Sequence, residues 1–232
     1  MSSGTTMKSW RLRVNVELPP MRRASERAAQ VAAMFGVDGA AGATLYDGLQ
    51  IEIRPGQIVA VVGPSGAGKS VLLRQARRQC RGVLELDAAA LAGSDLSPVD
   101  LLAGPLPRRL ETLSRCGLAD ARALTTPARR LSGGQIYRLA LAVAVGRAKR
   151  RRGPTLILAD EFCSSLDELT AEMLCRQVRR MIRPDATPPI ALLLATPRAG
   201  LLGPLAADAV VVKPLAADAH VVIPSQCDTV TV

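Results

Sequence analysis

The segment Gly63-Pro64-Ser65-Gly66-Ala67-Gly68-Lys69-Ser70 limits what this chain can fold into more than any other feature. It follows an apolar run ending at Val62 and precedes a stretch with helical spacing. It therefore fits G-x-x-x-x-G-K-[ST] in the strand-to-helix context that gives the pattern its meaning. Glycines at 63, 66 and 68 let successive backbone N–H groups turn inward around phosphate oxygens, and the following helix adds the positive end of its dipole. Lys69 is expected to reach the β- and γ-phosphates of a nucleotide and Ser70 to bind Mg2+. Gly63, Pro64, Ser65, Gly66, Ala67, Gly68, Lys69, Ser70 and Val71 form the expected nucleotide-binding set.

The surrounding pattern is α/β. Trp10, Leu12, Val14 and Val16 alternate with Arg11, Arg13 and Asn15, the period of a half-buried strand that Pro19-Pro20 ends. Residues 22–34 read as a helix with Ala28, Val31 and Ala32 on one side. Strands are expected over 49–53 and 57–62, joined by the turn Arg54-Pro55-Gly56, and further on over 83–86, 155–160 and 190–195. Helices are expected over 69–80, 135–149 and 168–183, with one or two short ones over 98–116 interrupted by Pro105 and Pro107. A near-repeat, residues 204–213 and 214–223, reads as two short edge strands. Strands alternating with helices imply a mainly parallel sheet covered on both faces. With 232 residues, 48% of them apolar, one principal domain is expected: an N-terminal extension (strand plus helix) to residue 45, a main domain over 46–215 with a helical subdomain near 90–130, and a tail from 216 to 232.

Leu156-Ile157-Leu158-Ala159-Asp160-Glu161 is a buried strand ending in two carboxylates. Beside the phosphate loop, Asp160 can hold Mg2+ and Glu161 can polarise the water that attacks the γ-phosphate, as a general base. Leu131-Ser132-Gly133-Gly134-Gln135 sets Ser132 and two glycine N–H groups at a helix start, a ready anion site. An N-cap serine alone accounts for Ser132 but not for Gly-Gly-Gln.

With these three segments in this order, the chain resembles the ATP-binding-cassette (ABC) ATPases, whose signature motif is LSGGQ. The likeness continues through Asp160-Glu161-Phe162-Cys163-Ser164-Ser165-Leu166-Asp167, similar to the family's DEPTSALD, and spans residues from about 45 to 198. It implies a P-loop NTPase fold with a mainly parallel sheet between helices, an N-terminal β-rich part and a shortened helical subdomain. It implies ATP and Mg2+ as ligands and a nucleotide-dependent homodimer. There Ser132, Gly133, Gly134 and Gln135 of one subunit close over the ATP held by the other, Lys69 and Ser132 join Glu161 in catalysis, and Asp167 lies at the interface.

The chain departs from the family in three places. Where the family carries T-H-R, it has Thr196-Pro197-Arg198, so the histidine contact to the γ-phosphate is lost unless Thr196 or Arg198 substitutes, and turnover is expected to be slow. His220, the one histidine, reads as a strand residue of the tail. No glutamine occurs between Gln79 and Gln135, so the Q-loop glutamine is missing, and the insert that receives the coupling helix in transporters is short. For the adenine-stacking aromatic, Phe35 fits better than Tyr46, though Phe35 fits core packing equally well. The expectation is a soluble, non-transport ABC ATPase with a possible protein partner. The alternatives are the ATP-binding subunit of an ABC transporter and a nucleotide-dependent scaffold with little hydrolysis.

A net charge of +10 suits nucleic acid, but a chain this rich in Ala and Arg reads rather as a matter of composition; the cluster Arg147, Lys149, Arg150, Arg151, Arg152 could bind nucleic acid, but is preferred as cations at the negative end of a helix. Cys80, Cys116, Cys163, Cys175 and Cys227 show no metal or redox spacing and are read as reduced thiols. No apolar run approaches the roughly 18–20 residues of a membrane span, and the first residues lack the apolar stretch of a signal peptide, so a cytoplasmic protein is expected.

Overall fold

Trp10, Leu12 and Val14 of β1 (Trp10–Leu18) are buried while Arg11 and Arg13 stay exposed, as their alternation requires. The computed structural model describes residues 9–19, 25–36, 42–215 and 217–223. Residues 22–24 of the expected first helix and Cys227 lie outside them. α1 (Glu26–Met34) buries no residue. β2 (Ala43–Ile53) pairs antiparallel with β1, Trp10 opposite Ile53, with irregular register around Val16. It begins earlier than residue 49, because pairing with β1 extends it.

The turn after β2 turns on Gly56 (φ 85°), where an added Cβ would stand 2.5 Å from the Pro184 nitrogen. β3 (Ile58–Val62) then leads into α2 (Lys69–Gln79) and β4 (Val83–Glu85). Four short helices follow: α3 (Ala89–Ala92), α4 (Pro98–Leu101), α5 (Leu106–Arg115) and α6 (Ala121–Thr125). Pro105 and Pro107 open α5 rather than interrupt it, since the first turn of a helix has no use for those N–H groups. Next come α7 (Gly133–Lys149), β5 (Thr155–Ala159), α8 (Glu168–Met181), β6 (Ile190–Thr196), α9 (Leu202–Leu205), β7 (Ala209–Val212) and β8 (His220–Val222).

The main sheet runs β4-β5-β6-β3-β7-β8, parallel throughout except for antiparallel β8. β3, β5 and β6 are buried along their whole length, as continuous apolar runs demand. Period-2 geometry sends Ile58, Ala60 and Val62 into a core shared with α7 and α8. Val59 and Val61 face a second core built from α2, β1 and β2. β1 and β2 thus share a core with the phosphate-loop helix, and a division after residue 45 falls inside β2. β7 is not an edge strand: Asp208 accepts from the Ile58 N–H (2.7 Å) and from Arg179 (2.8 Å), registering β7 beside β3, so of the two repeat strands only β8 lies at an edge, opposite β4 at the other.

Candidate active site

The phosphate loop crosses from β3 to α2 with Gly66 (φ 81°) and Gly68 (φ 95°) in the left-handed region that side chains disfavour. Gly63 has a different reason: a Cβ there would strike the Lys213 carbonyl oxygen, because the Lys213 N–H donates to Val62 (2.8 Å) and draws the two segments together. The Lys69 ammonium donates to the Gly63 and Pro64 carbonyls, 2.7 Å each, and so lies over the loop it would share with a phosphate. At the start of α2 the Val71 and Leu72 N–H groups donate to the Gly68 carbonyl (2.9 and 3.3 Å), and those of Lys69 and Ser70 precede the first intrahelical bond. Burial lowers the Lys69 pKa from its usual value, while the charges of Asp160 and Glu161 act to raise it. The two carboxylates at the end of β5 therefore stand within electrostatic reach of the loop lysine, brought there by the order β5-β6-β3.

The corner after β5 is unusual. Glu161 (φ 47°) and Cys163 (φ 59°) both adopt left-handed backbone, at a cost of about 1–3 kcal/mol each. Asp160 Oδ1 accepts from the Glu161 N–H (3.0 Å), and Glu161 Oε2 accepts from the Ser164 hydroxyl (3.5 Å). Asp160 and Glu161 are exposed, whereas Phe162 and Cys163 are fully buried. Pro197, exposed just past β6, offers no donor. Arg198, the other candidate for that contact, is engaged with the backbone: its Nη1 donates to the carbonyls of Cys163 (3.0 Å) and Leu166 (2.9 Å).

α7 begins at Gly133, two residues earlier than the spacing predicts, because Ser132 and Gln135 form a reciprocal capping box. The Ser132 N–H donates to Gln135 Oε1 (2.9 Å), and the Gln135 N–H to Ser132 Oγ (3.3 Å). Gln135 thus has a local role beside any nucleotide contact. A Cβ at Gly134 would come 3.0 Å from the Leu166 side chain, so this helix start packs against the corner after β5, while Gly133 opens outward. Asp167 caps α8, and the bond it accepts from the Thr170 N–H (2.9 Å) lowers its pKa.

The adenine candidates separate clearly. Tyr46 is buried, its hydroxyl donating to the Gly68 carbonyl (3.1 Å), whereas Phe35 is 78% exposed at the end of α1. The sequence reading missed three supports of the site: Tyr46, Lys213 and Tyr137. Buried Lys213 lies 5.6 Å from the Tyr46 ring centre and donates to the Pro214 (2.9 Å) and Ala217 (2.8 Å) carbonyls. A lone cation at the end of the run Val210–Val212 was its only signal.

A family model described as ABC transporter matches residues 46–96, which run from β2 through α3. The lipoprotein-releasing system ATP-binding protein LolD of Novosphingobium aromaticivorans is 33% identical over 64% of this chain and 79% of that protein. The L-cystine transport system ATP-binding protein TcyN of Escherichia coli is 32% identical over 57% of this chain and 68% of that one. The chain belongs to the ABC ATP-binding proteins. The fold of the ABC cassette agrees. A dimeric post-hydrolysis state of the cassette MJ0796 bound to ADP and Pi superposes with a TM-score of 0.58 at 17% identity, over 88% of this chain and 94% of that one. A bacterial Atm1-family ABC exporter with ATP bound gives 0.61 at 16%, over 93% and 39%. As an ABC ATPase, the protein binds ATP and hydrolyses it.

Proposed function

We propose that this protein is the ATP-binding subunit of an ABC transporter, working as a homodimer with ATP and Mg2+ between its subunits. The observation that carries the reading is that the matched relatives are ATP-binding components of release and transport systems. They favour it over the soluble, non-transport ATPase that the missing Q-loop glutamine suggested. Losing that segment shortens the insert, yet α4 and α5 remain and α5 packs against α7. Between α4 and the end of α7 lies a groove of about 370 Å3, floored by Leu101, Leu102 and Val143 and rimmed by Arg147, Arg150 and Arg151. In this reading the groove receives a helix of the membrane subunit. Among the described residues no helix is long and apolar enough to cross a membrane, so the translocation path would belong to that partner.

In this reading Lys69 exchanges the Gly63 and Pro64 carbonyls for phosphate oxygens, and Glu161 takes the proton of the attacking water. The α7 N-terminus, with Ser132, Gly133 and Gly134, faces the γ-phosphate held by the partner subunit. Mg2+ would be held by Ser70 and Asp160 and, when bound, neutralises charge on the phosphates. Among the described residues no cluster of three or more His, Cys, Asp or Glu forms a protein-only cage. That suits an ion keeping waters and phosphate oxygens as ligands.

The test is purification of tagged Glu161→Gln protein from native membranes with ATP. A polytopic membrane subunit is expected to co-purify, and its reconstitution with wild-type protein in vesicles to raise ATP hydrolysis. Recovery of the chain without any such subunit, with full ATPase activity on its own, would restore the non-transport reading.

A further inference from the structure

Every backbone polar group of Phe162 and Cys163, immediately after Glu161, is held by another part of the chain. The Phe162 N–H donates to the Ala195 carbonyl (2.7 Å), and the Phe162 carbonyl accepts from the Thr196 hydroxyl (3.3 Å). The Cys163 N–H donates to the Tyr137 hydroxyl oxygen (3.1 Å), deep in the core. The Cys163 carbonyl accepts from Arg198, whose same nitrogen also takes the Leu166 carbonyl. Arg198 is aligned in turn, its own N–H donating to the Thr196 hydroxyl (3.2 Å). The Tyr137 ring meets the Phe162 ring edge-on at 6.2 Å. Left-handed backbone at two non-glycine residues persists only where the surroundings over-determine it, and these are the surroundings.

We propose that Tyr137 and Arg198 are positioning residues for hydrolysis: together they hold the left-handed corner that aims the Glu161 carboxylate. Tyr137 sits two residues beyond Gln135 on α7, so the clamp also ties the helix that begins at the signature motif to the base of the same subunit. Arg198 follows Pro197 and acts from the place where the family's histidine segment runs, through the backbone instead of through the nucleotide. The inference rests on the reading of Glu161 as the general base. Neither side chain touches the loop that holds phosphate, so the clamp affects the chemical step and leaves nucleotide affinity alone.

The experiment measures steady-state ATP hydrolysis, ATP affinity and thermal melting of the full chain as wild type, Glu161→Gln, Tyr137→Phe, Arg198→Met and Arg198→Lys. Tyr137→Phe keeps the ring against Phe162 and removes only the acceptor oxygen. It and Arg198→Met are each expected to lower kcat on the order of ten- to a hundredfold, as a small misplacement of a catalytic group does. KM and ATP affinity are expected to stay within about twofold, since an interaction made only in the chemical step leaves binding untouched. Arg198→Lys, able to reach one carbonyl, should recover part of the loss. In the Glu161→Gln background, neither substitution should lower the residual rate further. Wild-type hydrolysis that survives Glu161→Gln, or is absent altogether, overturns the base reading and the clamp with it. If Glu161→Gln abolishes hydrolysis but Tyr137→Phe and Arg198→Met keep the wild-type kcat, or lose affinity as much as rate, the clamp alone is overturned. A Tyr137→Phe protein that does not fold leaves the decision to the two Arg198 variants, read the same way.

Discussion

Both tyrosines of the chain work as buried hydrogen-bonding groups, one under the phosphate loop and one under the Glu161 corner. Burial pushes the Tyr46 hydroxyl up to about 12 and that of Tyr137 well above its usual value. The folded state therefore favours the neutral phenols. Their stabilisation is fully present below the unfolded value near 10 and is lost as the pH rises from there through the folded values. The native protein is expected to show almost no tyrosinate absorbance at 295 nm at pH 10.5, whereas the protein unfolded in guanidinium should titrate with a midpoint of about 10. A native midpoint near 10 would mean that at least one hydroxyl is solvated and its hydrogen bond absent. At this scale the sequence was legible where chemistry is local. Lys69 and Ser70 stand in a motif whose spacing names them, while Tyr46 and Lys213 bear on the loop through contacts that no local pattern announces.

Among the elements, α7 carries the clearest energetic signature, since its first turn is closed from both sides by Ser132 and Gln135. Ser132→Ala is expected to lower unfolding free energy by about 0.5–2 kcal/mol, read as a shift of the urea midpoint at constant slope. Gln135→Ala should cost less, because it removes only the reciprocal bond. An unchanged midpoint in Ser132→Ala would mean that the box does not form in solution. Helix positions were readable from the sequence because apolar spacing is local, but their ends were not. Two glycines look like a break, yet α7 includes both, because the cap precedes them, and Gly134 lets the helix start pack closely on the Leu166 side chain. Pro105 and Pro107 likewise look like breaks and instead mark a beginning.

Across the whole molecule, β1 is the part whose role sequence proximity hides. Residues 10–18 precede the stretch from about residue 45 whose sequence resembles the ABC family, but Trp10, Leu12 and Val14 close the core over Leu72 and Ala76 of the phosphate-loop helix, and the Trp10 indole donates to the Arg81 carbonyl (2.8 Å). Trp10→Ala is expected to cost about 3–5 kcal/mol, as truncation of a buried aromatic does, and to lower the melting temperature by several degrees. Melting of Trp10→Ala at the wild-type temperature would show β1 to be dispensable to the cassette.

The chain's own residues specify the phosphate loop, the parallel order of apolar strands and helices, and the carboxylates that end β5. Each is a short-range pattern: a glycine spacing, a period of 2 or 3.6, a polar residue closing an apolar run. The missing histidine was equally legible, since Pro197 bears no donor in any fold. What fills the space around it was decided by tertiary structure alone. Arg198 looked free to meet a phosphate, but it is turned to the Cys163 and Leu166 carbonyls, and Tyr137 reaches Cys163 from a helix 26 residues away in sequence. A backbone carbonyl or N–H carries no residue-specific signal, so which side chain satisfies it depends on the packing of β6 and α7 around the corner and on nothing written locally.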